Sequence, residues 1–328
     1  MFQIVRIASI VFCFFCFWGI AQAEGLLPSW RQTAAKQRIL QFVNKVTTPG
    51  NTAYVRREDR IAVFDHDGTL IIEQPIYIEV ALVIDRLKEE ANKNPALKEQ
   101  EPYKSALAND VKGLAAGGSN ALINLVGKVN AGQTSEQFQK AVDEWIRQTR
   151  HPRFERPYDR LTYKPMTELI GLLRSRGFKV YIVSGSNIDF VRALSQRLYG
   201  ISPEQVVGSL SKLDLVTQDN RLELIRAPQI EMIDDGPGKP VGINRQIGKR
   251  PLMAFGNSDG DLEMLKWTTD GKGPRFGAFV HHDDAKREYR YDRDSSVGRL
   301  NKGLDAAPAN HWLVISMERD WKRIFPQK

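Results

Sequence analysis

Residues 61–75 read IAVFDHDGTLIIEQP, a hydrophobic run that ends in two aspartates one residue apart, Asp65 and Asp67, followed by Gly68 and Thr69. A carboxylate can attack phosphorus and carry the phosphoryl group, but the cycle also needs a proton for the leaving oxygen and then a base for water. Two neighbouring carboxylates held in different surroundings divide those roles. Asp65 is the candidate nucleophile and Asp67 the candidate acid and base. Gly68 lets the backbone turn tightly beside a ligand, and Thr69 can fix the loop or bond a phosphate oxygen.

A transferring phosphoryl group spreads negative charge over its equatorial oxygens, so its site needs donors and a cation. Ser184 and the backbone N–H of Gly185, in VSGSN, are suitable donors, the second expected at the start of a helix. Lys239, in the glycine-flanked DDGPGKP, is the candidate cationic side chain, with Lys249 as the alternative. Asp65, Asp67, Asn257 and Asp261 form a candidate oxygen-rich Mg²⁺ site, the metal keeping waters and bridging to phosphate; Asp259 competes with Asn257 for its place. Glu73 and Gln74 follow the nucleophile loop closely enough to touch a substrate's leaving group, and read equally well as solvent-facing polar groups.

Other acidic and histidine clusters carry less. DHDGTLIIEQPI lacks the later acids and terminal glutamate of an EF-hand. His66, between the aspartates, should point away from them on an extended backbone. In His281-His282-Asp283-Asp284, neighbours point apart and no third nitrogen has suitable spacing, so a helix cap ahead of AKREY outweighs a zinc site.

Positioning these groups requires strands. Short apolar strands are predicted at 60–64, 178–183, 251–255 and 276–280, with helices over 30–46, 167–176 and about 259–267. The alternation predicts an α/β fold, a parallel sheet with helices on both faces, whose ligands sit beyond the carboxyl ends of the strands. Three strands end in FDHDGT, VSGSN and FGNSDGD, which would converge on one crevice. More than a hundred residues separate the first two strands, far beyond an ordinary crossover. Helical periodicity at 75–90 and 136–148, with a break near Gly117-Gly118, makes residues 71–156 an inserted, mainly helical cap; HPRFERPYDR is the return hinge, and 24–70 with 157–328 form the core.

In order and spacing these clusters resemble the motifs of the haloacid dehalogenase superfamily of phosphohydrolases, over about residues 60–270. DHDGT is similar to the first motif, Ser184 to the second, Lys239 to the third and GNSDGD to the fourth. The resemblance implies a Rossmann-like core, Mg²⁺ and a phosphoaspartate on Asp65. Phosphoserine-phosphatase-like members carry a helical cap between the first two motifs, and VSGSN is similar to their second. The second aspartate follows the phosphatase pattern, which the dehalogenases lack. Asn257 departs from it: many members have aspartate there, and an amide carbonyl can ligate Mg²⁺ but supplies no charge.

The first residues predict an address. MFQIVRIASIVFCFFCFWGIAQA has one basic residue, Arg6, an apolar run from about Ile7 to Ile20, and Ala21-Gln22-Ala23 at its end. The run is shorter than the roughly 20 residues of a spanning helix, so residues 1–23 read as a cleaved signal peptide and the protein as exported, to a periplasm-like space. Cys13 and Cys16 both lie in it, which excludes disulfides, thiolate ligands and a cysteine nucleophile from the remainder. The chain carries +8, or +7 without Arg6, spread among acids and without an aromatic ladder, a poor nucleic-acid footprint. The resulting expectation is an exported Mg²⁺-dependent phosphatase acting on a small-molecule phosphate ester, with no nucleic-acid partner and no membrane association after cleavage. The alternatives are a phosphotransferase or phosphomutase on the same fold, and a non-catalytic metal- or anion-binding protein, to which Asn257 points.

Overall fold

The computed structural model describes residues 25–114 and 119–327. The signal-peptide assignment to residues 1–23 and the break at Gly117-Gly118 fall outside the described residues. In chain order the elements are α1 (Ala34–Thr47), β1 (Ile61–Phe64), α2 (Ile78–Lys93), α3 (Tyr103–Leu107), α4 (Val111–Leu114), α5 (Ser119–Val129), α6 (Ser135–Gln148) and α7 (Lys164–Ser175). There follow β2 (Lys179–Asn187), α8 (Ile188–Tyr199), β3 (Val206–Gln218), β4 (Arg221–Met232), α9 (Gly238–Ile247), β5 (Met253–Gly256), α10 (Leu262–Thr269), β6 (Phe276–His281), α11 (Lys302–Ala309), β7 (Leu313–Ser316) and α12 (Met317–Asp320). No described helix is long and apolar enough to cross a membrane.

The sheet runs β4-β3-β2-β1-β5-β6-β7 and is parallel except at β3–β4. β1 is central because all four of its residues are buried, which only a strand covered on both faces tolerates. Ala62 and Phe64 face one apolar layer; Ile61 and Val63 face the other, the alternation a pleated strand imposes. Phe64 stacks on Phe255 of β5 with centroids 4.5 Å apart, which helps lock the two strands whose ends carry the acidic clusters.

The antiparallel β3–β4 hairpin was not expected from the sequence. Its turn is Asp219-Asn220, both at positive φ (51° and 60°), and Gln218 pairs with Arg221 across a two-residue loop. Asp and Asn are among the residues that enter this conformation most readily. Its leucines are largely exposed, so no apolar run marks it.

The segment between β1 and β2 folds as α2 to α7, of which α2 to α6, within residues 78–148, make up the helical insertion. α2 has its own small core, with Val80, Val83, Ile84 and Leu87 packing with Ala106 and Leu114. Phe138, Val142 and Ile146 of α6 instead join the main core. The cap is also held by a buried polar cluster. Arg226 of β4 bonds Asp189 Oδ2 (2.5 Å), Ser211 Oγ (2.9 Å) and the Asn130 carbonyl (3.3 Å), and its guanidinium lies 4.2 Å from the Phe138 ring centroid.

Arg226→Ala takes the shortest of its bonds from the buried Asp189, which keeps Ser135, Gln139 and a longer pair with Arg192, so we predict a loss of about 2–4 kcal/mol in urea unfolding. A loss below about 1 kcal/mol would show that the cluster does not hold the cap.

Candidate active site

β1 delivers Asp65. The strand ends at Phe64, and the Asp65 N–H continues its ladder by donating to the Phe255 carbonyl (2.9 Å). The chain then turns sharply: the His66 carbonyl accepts from Leu70 N (2.8 Å) and Ile71 N (3.2 Å). Gly68 has φ +74°, and a Cβ there would lie 2.1 Å from Asn257 Nδ2 and 2.3 Å from Glu73 Oε1, so glycine is needed both for the turn and for the close approach. His282 Nε2 lies 2.8 Å from the Gly68 carbonyl, and its Nδ1 3.2 Å from Glu288 Oε2. The His281–Asp284 cluster therefore does not cap a helix ahead of AKREY: His282 supports the nucleophile loop, Asp284 caps only a turn, accepting from Lys286 N and Arg287 N, and Asp283 accepts from Glu318 N in the first turn of α12.

Lys239 sits in the first turn of α9, 2 % exposed, and its Nζ donates to Asp65 Oδ1 (2.6 Å), Asp261 Oδ1 (2.5 Å) and the Val183 carbonyl (3.1 Å). One ammonium thus ties together the ends of β1, β2 and the turn after β5. Lys249 is exposed and pairs with Asp59 (2.7 Å), away from this site. Burial works against the charged form of Lys239, but Asp261 and Asp65 outweigh it and hold the lysine well above its ordinary range. Burial pushes Asp65 well above the usual carboxylate range; Asp261 adds to the push, and Lys239 opposes it.

Asp67 differs. Burial pushes it up too, but His66, the Ser186 hydroxyl and Lys239 outweigh that and leave it below the ordinary carboxylate value. Ser186 Oγ donates to Asp67 Oδ2 (2.8 Å), a contact sequence reasoning missed although Ser186 lies in VSGSN. His66 does not point clear of the aspartates: its Nδ1 lies 3.5 Å from Asp67 Oδ2 while Nε2 meets Tyr199 OH at 3.1 Å. Asp67 Oδ1 is buried with no hydrogen-bond partner.

The remaining expected residues fall as follows. Ser184 is buried in β2 and its Oγ accepts from Ser186 N (3.1 Å). Gly185 lies in the irregular end of β2, three residues before α8, so its N–H is not at a helix start. Thr69 Oγ1 donates to Asn257 Oδ1 (3.1 Å), fixing the loop. Asp261 Oδ2 accepts from Asn257 N (2.9 Å) and Ser258 N (3.1 Å), so with Lys239 on Oδ1 both its oxygens are engaged. Asp259 is turned away, accepting from Asn301 N and Gly303 N (both 2.9 Å). Glu73, 2 % exposed, accepts on Oε1 from Asn257 Nδ2 (2.6 Å) and Tyr291 OH (2.7 Å). Gln74 Nε2 reaches Ser295 Oγ (3.2 Å) and the Val297 carbonyl (3.0 Å). Tyr291, Ser295 and Val297 lie in the long loop between β6 and α11, which has no periodicity to announce it.

The set suits an oxygen-preferring dication such as Mg²⁺. Among the described residues no three His, Cys, Asp or Glu side chains are grouped as a metal cluster. Mg²⁺ is commonly held by only one or two carboxylates, completed by waters and phosphate, and the unpartnered Asp67 Oδ1 is the kind of buried oxygen that a cation satisfies.

Among protein families, the haloacid dehalogenase-like hydrolases match this chain over residues 62–266. Among solved structures, a conserved protein of unknown function from Anaerococcus prevotii DSM 20548 is 19 % identical with a TM-score of 0.50, over 76 % of this chain and 86 % of that one. A protein of unknown function from Bordetella pertussis Tohama I is 16 % identical (TM-score 0.49, 78 % and 97 % covered). A phosphoserine phosphohydrolase-like protein from Francisella tularensis subsp. tularensis SCHU S4 is 17 % identical (TM-score 0.38, 68 % and 88 %). No curated protein matches. At 19 % identity the likeness to the Anaerococcus prevotii protein is one of fold.

Behind Lys239, Asp234 is fully buried with both carboxylate oxygens unpartnered, and burial pushes it up to about 7 while Lys239 pulls the other way. The folded protein then keeps a proton that the unfolded chain releases near pH ~4. Between those values the folded state binds more protons, so this group costs stability as pH rises from about 4 to about 7. Asp234→Asn is predicted to gain on the wild type across that window, by about 4 kcal/mol at pH 8. Urea unfolding at pH 5 and pH 8 measures it, and a difference that ignores pH would mean that Asp234 does not hold this proton.

Proposed function

The chain belongs to the haloacid dehalogenase-like hydrolases, and from that membership we propose that it is an exported, Mg²⁺-dependent phosphatase that hydrolyses a small phosphate monoester through a phosphoaspartate on Asp65. The observation that carries this reading is the buried Lys239 bridge to Asp65 and Asp261, beside a second aspartate with one oxygen unpartnered.

Lys239 holds Asp65 Oδ1 and leaves the other oxygen to attack phosphorus. As that O–P bond forms the ester P–O bond breaks, and the leaving oxygen takes a proton from Asp67, which must be protonated for this step against the lowering by His66 and the Ser186 hydroxyl. Asp67 then draws a proton from water, which attacks phosphorus; the Asp65–phosphorus bond breaks and inorganic phosphate leaves. Asp67 can take both parts through Oδ2, which Ser186 orients, while Oδ1, free of protein donors, is left to the cation. Ser184 and the N–H groups around Gly185 are the proposed phosphate donors, and the Lys239 charge offsets that of the phosphoryl oxygens. Asp65, Asp67 and the Asn257 amide oxygen would hold Mg²⁺, which when bound neutralises phosphoryl charge. Asp261 serves the site by anchoring Lys239. With Asp65 and Asp67 both under a tenth exposed, the cap keeps bulk water from the first step.

Phosphate release from a generic aryl phosphate tests this reading. Activity should require Mg²⁺ and vanish with chelator, and Asp65→Asn should lower it by at least about 1,000-fold while thermal unfolding stays cooperative. Appreciable turnover by Asp65→Asn would remove the nucleophile assignment.

A further inference from the structure

Glu73 is a buried carboxylate whose hydrogen-bond partners among the described residues, Asn257 Nδ2 and Tyr291 OH, are both neutral. Its placement is exacting. A Cβ on Gly68 would lie 2.3 Å from Glu73 Oε1 and one on Gly298 only 1.8 Å from it, and both glycines are at positive φ (+74° and +66°). The two backbone segments are thus shaped around this one oxygen. A solvent-facing glutamate needs no such slot.

Charge gives the slot a purpose. Asp65, Asp67, Glu73 and Asp261 are all buried, and among the described residues Lys239 is the lysine or arginine bonded to this group. Buried carboxylates in excess of their cationic partners take up protons or bind a further cation. Glu73 meets the group through Asn257, whose Nδ2 donates to Glu73 while its Oδ1 faces Thr69 in the nucleophile loop. A carboxylate accepting from an amide N–H polarises that amide and makes its oxygen a better ligand.

We infer that Glu73 supplies, through Asn257, the negative charge that an amide at position 257 cannot bring to the cation site, so that the two residues act as one ligand whose charge sits at 73. This rests on the reading of Asp65, Asp67 and Asn257 as that site. Glu73 is then a positioning residue for the metal. The pairing also makes the charge transferable: in Glu73→Gln/Asn257→Asp the hydrogen bond survives reversed, the introduced amide N–H at 73 donating to the new carboxylate, and the Tyr291 hydroxyl, which meets the same Glu73 atom, accepting from that amide.

Mn²⁺ binding followed by electron paramagnetic resonance on the full chain tests this without recourse to activity. Glu73→Gln should weaken binding by about tenfold or more, and the double variant should return to within about threefold of the wild type. Tyr291→Phe, which removes a hydrogen bond but keeps the charge, should lose less than Glu73→Gln. Binding by Glu73→Gln equal to wild type, with Asp67→Asn impaired, would overturn the inference and leave the site standing. A double variant no better than Glu73→Gln would reduce Glu73 to a packing role and overturn it too, and should Glu73→Gln not fold, wild-type-like binding by the double variant still reads out the transferred charge. Equal Mn²⁺ binding by wild type and Asp67→Asn would mean that the cation site itself is wrong, and the inference falls with it.

Discussion

Everything at this crevice hangs on one buried ammonium. Lys239 bonds carboxylates from two segments that meet only because β1 and β5 are adjacent, and a carbonyl from β2 completes its hydrogen bonds. Desolvating a lysine is costly, and only short bonds to two carboxylates offset that cost. The arrangement holds only if the strand order is correct. The sheet is the means by which chemistry separated by nearly two hundred residues becomes local.

The two aspartates one residue apart show how environment separates identical groups. Asp65 is pushed up by burial and by Asp261, whereas Asp67 is drawn down by His66 and the Ser186 hydroxyl. A single residue of separation is enough because β1 ends between the sheet and a tight turn. Asp65 still belongs to the ladder with β5, and Asp67 already belongs to the loop that His282 supports.

The groups that announce themselves in the sequence are those tied to strand ends. Asp65, Asp67, Lys239 and Asp261 stand at the close of an apolar run or on a glycine-flanked loop, so their residue types and spacing carry the signal. Those that could not be read come from elsewhere. Tyr291 and His282 act from a loop without periodicity, and Arg226 is an ordinary arginine in an exposed-looking strand until the cap buries it. The hairpin left a trace in its alternating LDLVTQDNRLELI, but its leucines mostly face solvent, so hydrophobicity did not delimit it. Asp259, plausible as a ligand by spacing alone, is spent on the loop leading into α11, because which of two nearby acids faces a crevice depends on backbone direction.

Strand order and lysine bridge serve the covalent step at Asp65, whose carboxylate must ionise against the push of burial and Asp261, and trapping the intermediate would show whether that step occurs. An aryl phosphate has a leaving group that departs without a proton, so in Asp67→Asn the first step should outrun the second and the intermediate accumulate. Acid quenching during turnover, borohydride reduction of any acyl phosphate and peptide mass analysis would then locate the bond. Position 65 should be reduced to homoserine, with the Asp261-containing peptide unchanged. Phosphate release with Asp65 unmodified at every quench time, or modification at Asp261 instead, would rule out a phosphoaspartate at Asp65.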